Sequence, residues 1–356
     1  MPFSGIIINM PVVEIDGSYG EGGGQVLRTA LALSALLKKP LRLYNIRGGR
    51  RRPGLMAQHL CCVRSLAELT GARLRGDALG SQELHFEPGP TRWGSYSFDI
   101  GTAGATSLLV QALLPPLAFA GGESRLQLCG GTHVPMSPPF EFLAQVLLPT
   151  LAGLGLQARA QCRQWGFYPQ GGGLLELSVQ PASCVQARDF TQRGSLLGLE
   201  GVSAVARLPL GIAQRQRDAL LEAIAPLEAH LRCLEVPSPG PGTYVFLLAR
   251  YEGALAGFSA LGARGKPAEV VGQEAAQAFL QYQQARGALE PHLADQLVLY
   301  LALAEAPVEL TTTALSSHLL TNLWVIGRFL PLRYETEGQP GGPGRVRLQW
   351  ERHLEA

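Results

Sequence analysis

The chain has 356 residues, enough for about two domains. Hydrophobic residues make up 46% and charged residues 16%, a balance that excludes a disordered or coiled-coil protein. The net charge of +2 excludes a surface that is cationic throughout, so any contact with a nucleic acid has to be local.

The N-terminus, MPFSGIIINMPVVEIDG, lacks a basic region and a cleavage site and reads as no signal peptide, with Met10 an alternative start to Met1. A strand is predicted at Val12–Gly17, followed by a glycine turn and an apolar helix over Gln25–Lys39. The strand LRLYNI at Leu41–Ile46, a helix from Gly54 to Thr70 and two short strands near Ala72–Leu74 and Glu83–Glu87 close this unit. A second unit starts with the strand at Tyr96–Gly101 and a helix over Ala105–Ala120. The longest uncharged run lies here, but Gln111, Pro115 and Pro116 mark it as a buried helix and not a membrane span. The strand Arg125–Gly131, a helix over Pro139–Gly153 and strands near Leu156–Gln161 and Leu174–Val179 follow. A third unit has helices over Pro291–Glu305 and Ser317–Phe329 and strands at Val308–Ala314, Leu332–Glu335 and Arg345–Trp350.

The pattern is β-α-β-α-β-β three times, so the fold class is α+β with repeated units forming a large domain. Residues 185–285 carry their own helices, Gly211–Leu231 and Ala268–Ala285, and a strand at Tyr244–Ala249. They read as a small α/β domain inserted before the last unit's motifs, giving the division 1–184, 185–285 and 286–356. Six cysteines without a C-x-x-C pair make a zinc site or disulfide framework unexpected and a reducing cytoplasm the default.

Three junctions carry chemistry. Gly20-Glu21-Gly22-Gly23-Gly24-Gln25 fits neither a dinucleotide fingerprint nor a P-loop, but its glycines expose N–H groups at a helix start, which suits an anion. Glu21 beside a phosphate calls for a cation between them; the alternative is a tight turn with Glu21 favouring the helix dipole. Between Arg42 and Arg75 stand eight arginines and one acid, Glu68, with Gln58 and His59 following the densest part. Arginine forks bind phosphate, and few aromatics interleave, so a phosphate or strand-end site fits better than a long single-strand track. His318 in SSHLLTN opens a helix, where the positive helix end favours neutral, nucleophilic imidazole. A structural histidine is the plainer reading of those residues alone.

Taken in order, IDGSYGEGGGQVLRTALALS, IRGGRRRPGLMAQHL, GTAGATSLLVQ, GFYPQGGG, HLADQLVLYLALA and SSHLLTN resemble the RNA 3′-terminal phosphate cyclases over nearly the whole chain, from Val13 to Gln349. The resemblance implies a large domain of three repeats with a smaller domain inserted. It implies a ligase that uses ATP and a divalent cation, Mg²⁺ or Mn²⁺, to turn an RNA 3′-phosphate end into a 2′,3′-cyclic phosphate through His–AMP and RNA(3′)pp(5′)A. By motif, His318 is the nucleophile and Glu21 the metal ligand. Gln111, Pro138, Phe258 and the segment His292, Leu293, Ala294, Asp295, Gln296 would meet ATP. Arg28, Arg47, Arg50, Gln58 and His59 would form the RNA phosphate surface. Family members are often dimeric, so a homodimer is expected, with no membrane partner. The competing reading is a non-catalytic relative of ribosome biogenesis, which lacks the histidine; His318 together with Glu21 favours the enzyme. An enolpyruvyl transferase would want lysine-rich anion sites, and the chain has three lysines.

Overall fold

The structure, a computed structural model, describes residues 11–351. The segment read for a leader, with both start methionines, and the last five residues lie outside the described residues. Strands β1 (Val13–Asp16) and β2 (Leu41–Tyr44) run parallel, and β2 continues antiparallel into β4 (Leu84–Glu87) and β3 (Arg73–Arg75). The second sheet has the same order and the same mixture of directions: β5 (Ser95–Asp99), β6 (Ser124–Gly130), β8 (Gly173–Val179), β7 (Ala158–Gln164). The third is the antiparallel set β13 (Val308–Thr312), β15 (Gly344–Trp350), β14 (Leu332–Gly338).

In the third sheet the open side of β13 is met by two single residues, Phe190 from far upstream at one end and Leu289, paired with Thr312, at the other. Phe190 pairs parallel with Leu310, its N–H donating to Glu309 O at 2.8 Å and its carbonyl accepting from Thr311 N at 2.9 Å. Residue 190 therefore hydrogen-bonds with the third sheet, before the fourth sheet begins at Leu196, whereas the sequence division starts the inserted segment at 185.

The helices lie where their apolar periodicity puts them. They are α1 (Gly24–Leu37), α2 (Ala57–Thr70), α3 (Thr106–Ala118), α8 (Pro291–Ala302) and α9 (Ser317–Phe329). Between α3 and α8 run the helical turns α4 (Phe140–Phe142) and α5 (Leu148–Ala152), joined by a π-helical stretch, Leu143–Leu147. Helix α1 is buried nearly all round and packs on α2, α3 and α9, so it is the axis of the large core. No helix among the described residues is long and apolar enough to cross a membrane.

The inserted segment forms a fourth sheet, β10 (His230–Glu235), β9 (Leu196–Ala206), β11 (Gly242–Tyr251), β12 (Leu255–Leu261), covered by α6 (Leu210–Ile224) and α7 (Ala268–Gln284). The sequence reading missed three of these strands and ran one helix on to Leu231. The helix stops at Ile224 because Pro226 holds Ala225 extended, with ψ 142°. Strands β9 and β12 are rich in Gly, Ala and Ser, which carry little strand signal. Strand β11 is buried on both faces, and its alternation divides two cores. Tyr244, Phe246 and Leu248 join the large core, while Val245, Leu247 and Ala249 pack against the insert's own helices. Arg193 ties the two chain crossings together, donating to the carbonyls of Tyr282, Gln283 and Ala285 with its guanidinium over the Tyr282 ring.

Phe246 is 1% exposed at this junction. Phe246→Ala should lower the unfolding free energy by about 3–5 kcal/mol, the range for removing a buried ring from a packed core. Urea or guanidinium titration followed by circular dichroism checks this, and a loss below about 1 kcal/mol would mean that the insert sheet is not welded to the large core.

Candidate active site

Three chain segments meet where α1 begins. Gly20 and Gly22 hold φ at +61° and +55°, which residues with a Cβ adopt only under strain. A Cβ at Gly20 would overlap Thr321 Oγ1 on α9, and one at Gly22 would lie 2.6 Å from the Gly49 amide nitrogen of the arginine loop. The glycine turn is thus pressed between α9 and that loop. Gly23 caps α1 with no side-chain hydrogen bond, leaving the first-turn N–H groups uncapped by any side chain, an arrangement suited to an anion.

His318 sits in the first turn of α9, whose cap Ser316 accepts from Leu319 N–H at 3.0 Å. Its Nε2 is 3.2 Å from Glu21 Oε2, and Arg50 Nη2 is 3.0 Å from the same oxygen. Burial holds the imidazole below its ordinary pKa; Glu21 opposes this, and Arg28, His292 and Arg50 reinforce it. The ring is therefore neutral near pH 7, the form with a free lone pair.

In front of His318 opens a cleft of about 670 Å³. It brings together Arg28, Gln111, Pro138, Phe258, His292, Asp295 and Gln296. Residues 292, 295 and 296 share one helix face, spaced i, i+3, i+4. Leu293 and Ala294 take the other face and are fully buried in the core, so their side chains are not brought to the cleft. Phe258 reaches it from β12, its ring centroid 5.4 Å from that of Tyr282, so the insert supplies one wall.

A buried polar hub ties α1, α8 and α9 behind this wall. Gln25 Nε2 donates to Asn322 Oδ1 at 3.0 Å, Thr29 Oγ1 donates to the same oxygen at 2.7 Å, and Asn322 Nδ2 donates to Asp295 O at 2.6 Å. Arg28 Nη2 donates to Gln25 Oε1 at 2.7 Å. Two polar atoms at the cleft are left over: Arg28 Nε and Gln111 Oε1 are buried with no partner. A buried orphan donor and acceptor are costly unless a ligand satisfies them, and an anionic, hydrogen-bonding molecule would do so. Burial drives the Asp295 carboxyl well above the usual carboxylate range, with Glu290 and Glu21 adding to the shift and Arg28 opposing it.

The residues expected on the phosphate surface are arranged around the arginine loop. Arg47 Nη1 is committed to the carbonyls of Arg52 and Gly54, at 2.7 and 3.0 Å, which leaves the rest of its fork available. Gln58 Oε1 accepts from Ala105 N–H at 3.2 Å. His59 Nδ1 accepts from Met56 N–H at 3.2 Å, and its Nε2 lies with Arg28 against Gly24, where a Cβ would collide with it. Burial, then Arg28 and Arg47, push the His59 pKa down to about 3. Among the described residues no three of His, Cys, Asp and Glu cluster as a ready metal site. Glu21 is a single carboxylate, which fits a cation that completes its shell with substrate phosphates.

Sequence reasoning missed Gln25, Thr29 and Asn322 as a hub, although all three stand inside the quoted motifs. It also missed Gln281, Tyr282 and Ser259, which join Phe258 in the insert's share of the cleft and for which the sequence carries no signal.

The sequence model of the family described as "RNA 3′-terminal phosphate cyclase" matches residues 19–336. A protein of that name from Gloeothece citriformis is 44% identical over 89% of this chain and 93% of its own length. One from Methylococcus capsulatus is 44% identical over 95% and 97%, and one from Ignicoccus hospitalis 41% over 96% and 100%.

The half-buried His59 makes acid stability a readout of this site. The unfolded imidazole takes up its proton near pH 6.5 and the folded one only near 3, so below 6.5 the unfolded chain binds more protons. Stability attributable to His59 is present above pH 6.5 and is lost progressively as pH falls toward 3. Urea midpoints between pH 7 and 5 should therefore fall less steeply for His59→Asn than for the wild type; equal slopes would mean that the folded ring protonates normally.

Proposed function

Because this chain belongs to the RNA 3′-terminal phosphate cyclase family, we propose that the cleft uses ATP to convert an RNA 3′-phosphate end into a 2′,3′-cyclic phosphodiester. The observation that carries this reading is a neutral histidine at a helix start, facing Glu21 and Arg50, at the end of a cleft with an orphaned arginine donor and glutamine acceptor.

Three displacements at phosphorus follow. A ring nitrogen of His318 attacks the α-phosphorus of ATP; an N–P bond forms, the bond to the β-phosphate oxygen breaks, and pyrophosphate leaves. An oxygen of the RNA 3′-phosphate then attacks the same phosphorus, and His318 departs, leaving RNA(3′)pp(5′)A. Last, the vicinal 2′-OH attacks the RNA phosphorus, losing its proton, and AMP leaves with the cyclic ester behind.

The residues divide this work. Arg28, Arg47, Arg50 and the first-turn N–H groups of α1 are the donors for the phosphates. Gln58 and His59, half-buried behind the loop and His59 neutral, add polar partners. Pro138 and Phe258 offer apolar faces to the adenine, and Gln111, His292, Asp295 and Gln296 line the nucleoside end. Glu21 would hold a divalent cation, Mg²⁺ or Mn²⁺, which supplies charge neutralisation of the triphosphate. The Glu21 carboxylate that would hold the cation is the one that His318 Nε2 faces at 3.2 Å. His318 and Glu21 together support a catalytic reading over a non-catalytic RNA-binding one.

Incubation with ATP labelled at the α-phosphate should give a covalent protein adduct that is labile to acid and stable to alkali, as a phosphoramidate is. His318→Ala should give no adduct and no cyclisation from ATP, yet should still cyclise pre-made RNA(3′)pp(5′)A, since the 2′-OH is the nucleophile in that step. Labelling of His318→Ala would remove the histidine from the mechanism. Glu21→Ala should depress labelling at low Mg²⁺ by roughly ten-fold or more, with partial recovery at high Mn²⁺; unaltered cation dependence would leave Glu21 a turn residue.

A further inference from the structure

A second groove, about 380 Å³, continues from the cleft and shares Leu108, Met136 and Ser137 with it. Gln58 stands in it, directly after the arginine loop, and its outer wall is Tyr168. The groove lining carries no charged residue. Tyr168 is 66% exposed and Met136 93% exposed, a concentration of open apolar surface that solvent does not favour. Tyr168 is not on a loose loop. Trp165 and Phe167, flanking Tyr168, are buried against His133, and Gly166 N–H donates to Thr132 Oγ1 at 2.8 Å. Gly171, with φ +64°, lies so close to Ala103 that a Cβ would be 2.7 Å from its Cα. The chain on both sides of Tyr168 is thus pinned while its ring is turned outward.

Resting on the reaction proposed above, we infer that this groove holds the last nucleoside of the RNA, with Tyr168 stacking on its base. In-line displacement fixes the direction of approach. Pyrophosphate leaves the α-phosphorus opposite His318, and the RNA phosphate arrives opposite the departing His318, so both use the same side. Arg50 of the arginine loop stands on the same Glu21 oxygen as His318, and Gln58, which follows that loop in the chain, stands in the groove. The nucleoside attached to the incoming phosphate then reaches the next available surface, which is uncharged, apolar and aromatic. Such a surface suits a base face and not a further phosphate. Every base has such a face, so the groove would accept any 3′-terminal base.

The test measures binding of a short fluorescent RNA with a 3′-phosphate to the full chain by anisotropy, alongside AMP labelling with ATP alone. Tyr168→Ala should weaken RNA binding about ten-fold, the scale of one lost base–aromatic stack. Tyr168→Phe should bind within about two-fold of the wild type, because the ring face is kept. An RNA ending in an abasic 3′-phosphate should bind the wild type about ten-fold more weakly and lose nothing further in Tyr168→Ala. AMP labelling should be the same in all three proteins, and Leu197→Ala, an exposed apolar control on the insert, should bind as the wild type does. Unchanged RNA binding in Tyr168→Ala, equal loss in the Leu197 control, or a parallel loss of AMP labelling would overturn the assignment. Absence of AMP labelling in the wild type would instead remove the cyclase reading, while the abasic comparison would still report on the groove.

Discussion

Gly20 lies against Thr321 with no room for a Cβ between them, and that approach sets how near Glu21 comes to His318. The turn and the helix are about three hundred positions apart in sequence, so nothing local holds them together. The Gln25–Thr29–Asn322 hub does so from behind, by filling one carbonyl oxygen with two donors and sending the amide nitrogen on to Asp295 O. Thr29 and Asn322 are buried, so a hydrogen bond left unmade between them would carry the full cost of desolvation. A misplacement of α9 is therefore penalised at the hub before it is felt at the nucleophile.

The electrostatics of the site follow from that geometry. One carboxylate, Glu21, faces a histidine and an arginine, and Arg28 lies fully inside the same wall. Burial first, and the neighbouring arginines second, hold the pKa of His318 and of His59 below the ordinary value. Asp295 goes the other way for a different reason: burial, with Glu290 and Glu21 adding to it, raises its carboxyl well above the usual carboxylate range, and Arg28 only opposes this. The site has surplus donors and unpaired buried atoms, the signature of a pocket completed by an anionic ligand.

The insert is bound to this arrangement more tightly than its sequence position suggests. Strand β11 gives alternate residues to two cores, and Arg193 clamps the entering and leaving strands of chain. The Phe258 and Tyr282 side of the cleft is therefore held rigidly to the large domain, and the two parts of the cleft wall are fixed relative to each other by packing rather than by a linker.

The sequence by itself determined the α+β class, the order of the repeated units and the chemistry of the junctions. Those features are local: apolar periodicity marks α1, α8 and α9, glycines mark the turn at 20–24, and the residue types of SSHLLTN and the arginine loop stand in short runs. The family likeness rested on the same runs. Tertiary structure alone decided which of those runs meet. Leu293 and Ala294 stand in the same run as Asp295, yet helix rotation sends their side chains into the core. Phe190 meets the third sheet from a segment about 120 positions upstream, a pairing that only the path of the chain in space decides. The strands β9, β10 and β12 owe their state to pairing with β11 and its neighbours, not to propensity, so sequence left them unmarked. The exposure of Tyr168 is likewise invisible in GFYPQGGG, because it depends on Trp165, Phe167 and Gly171 being anchored by residues 30 or more positions away.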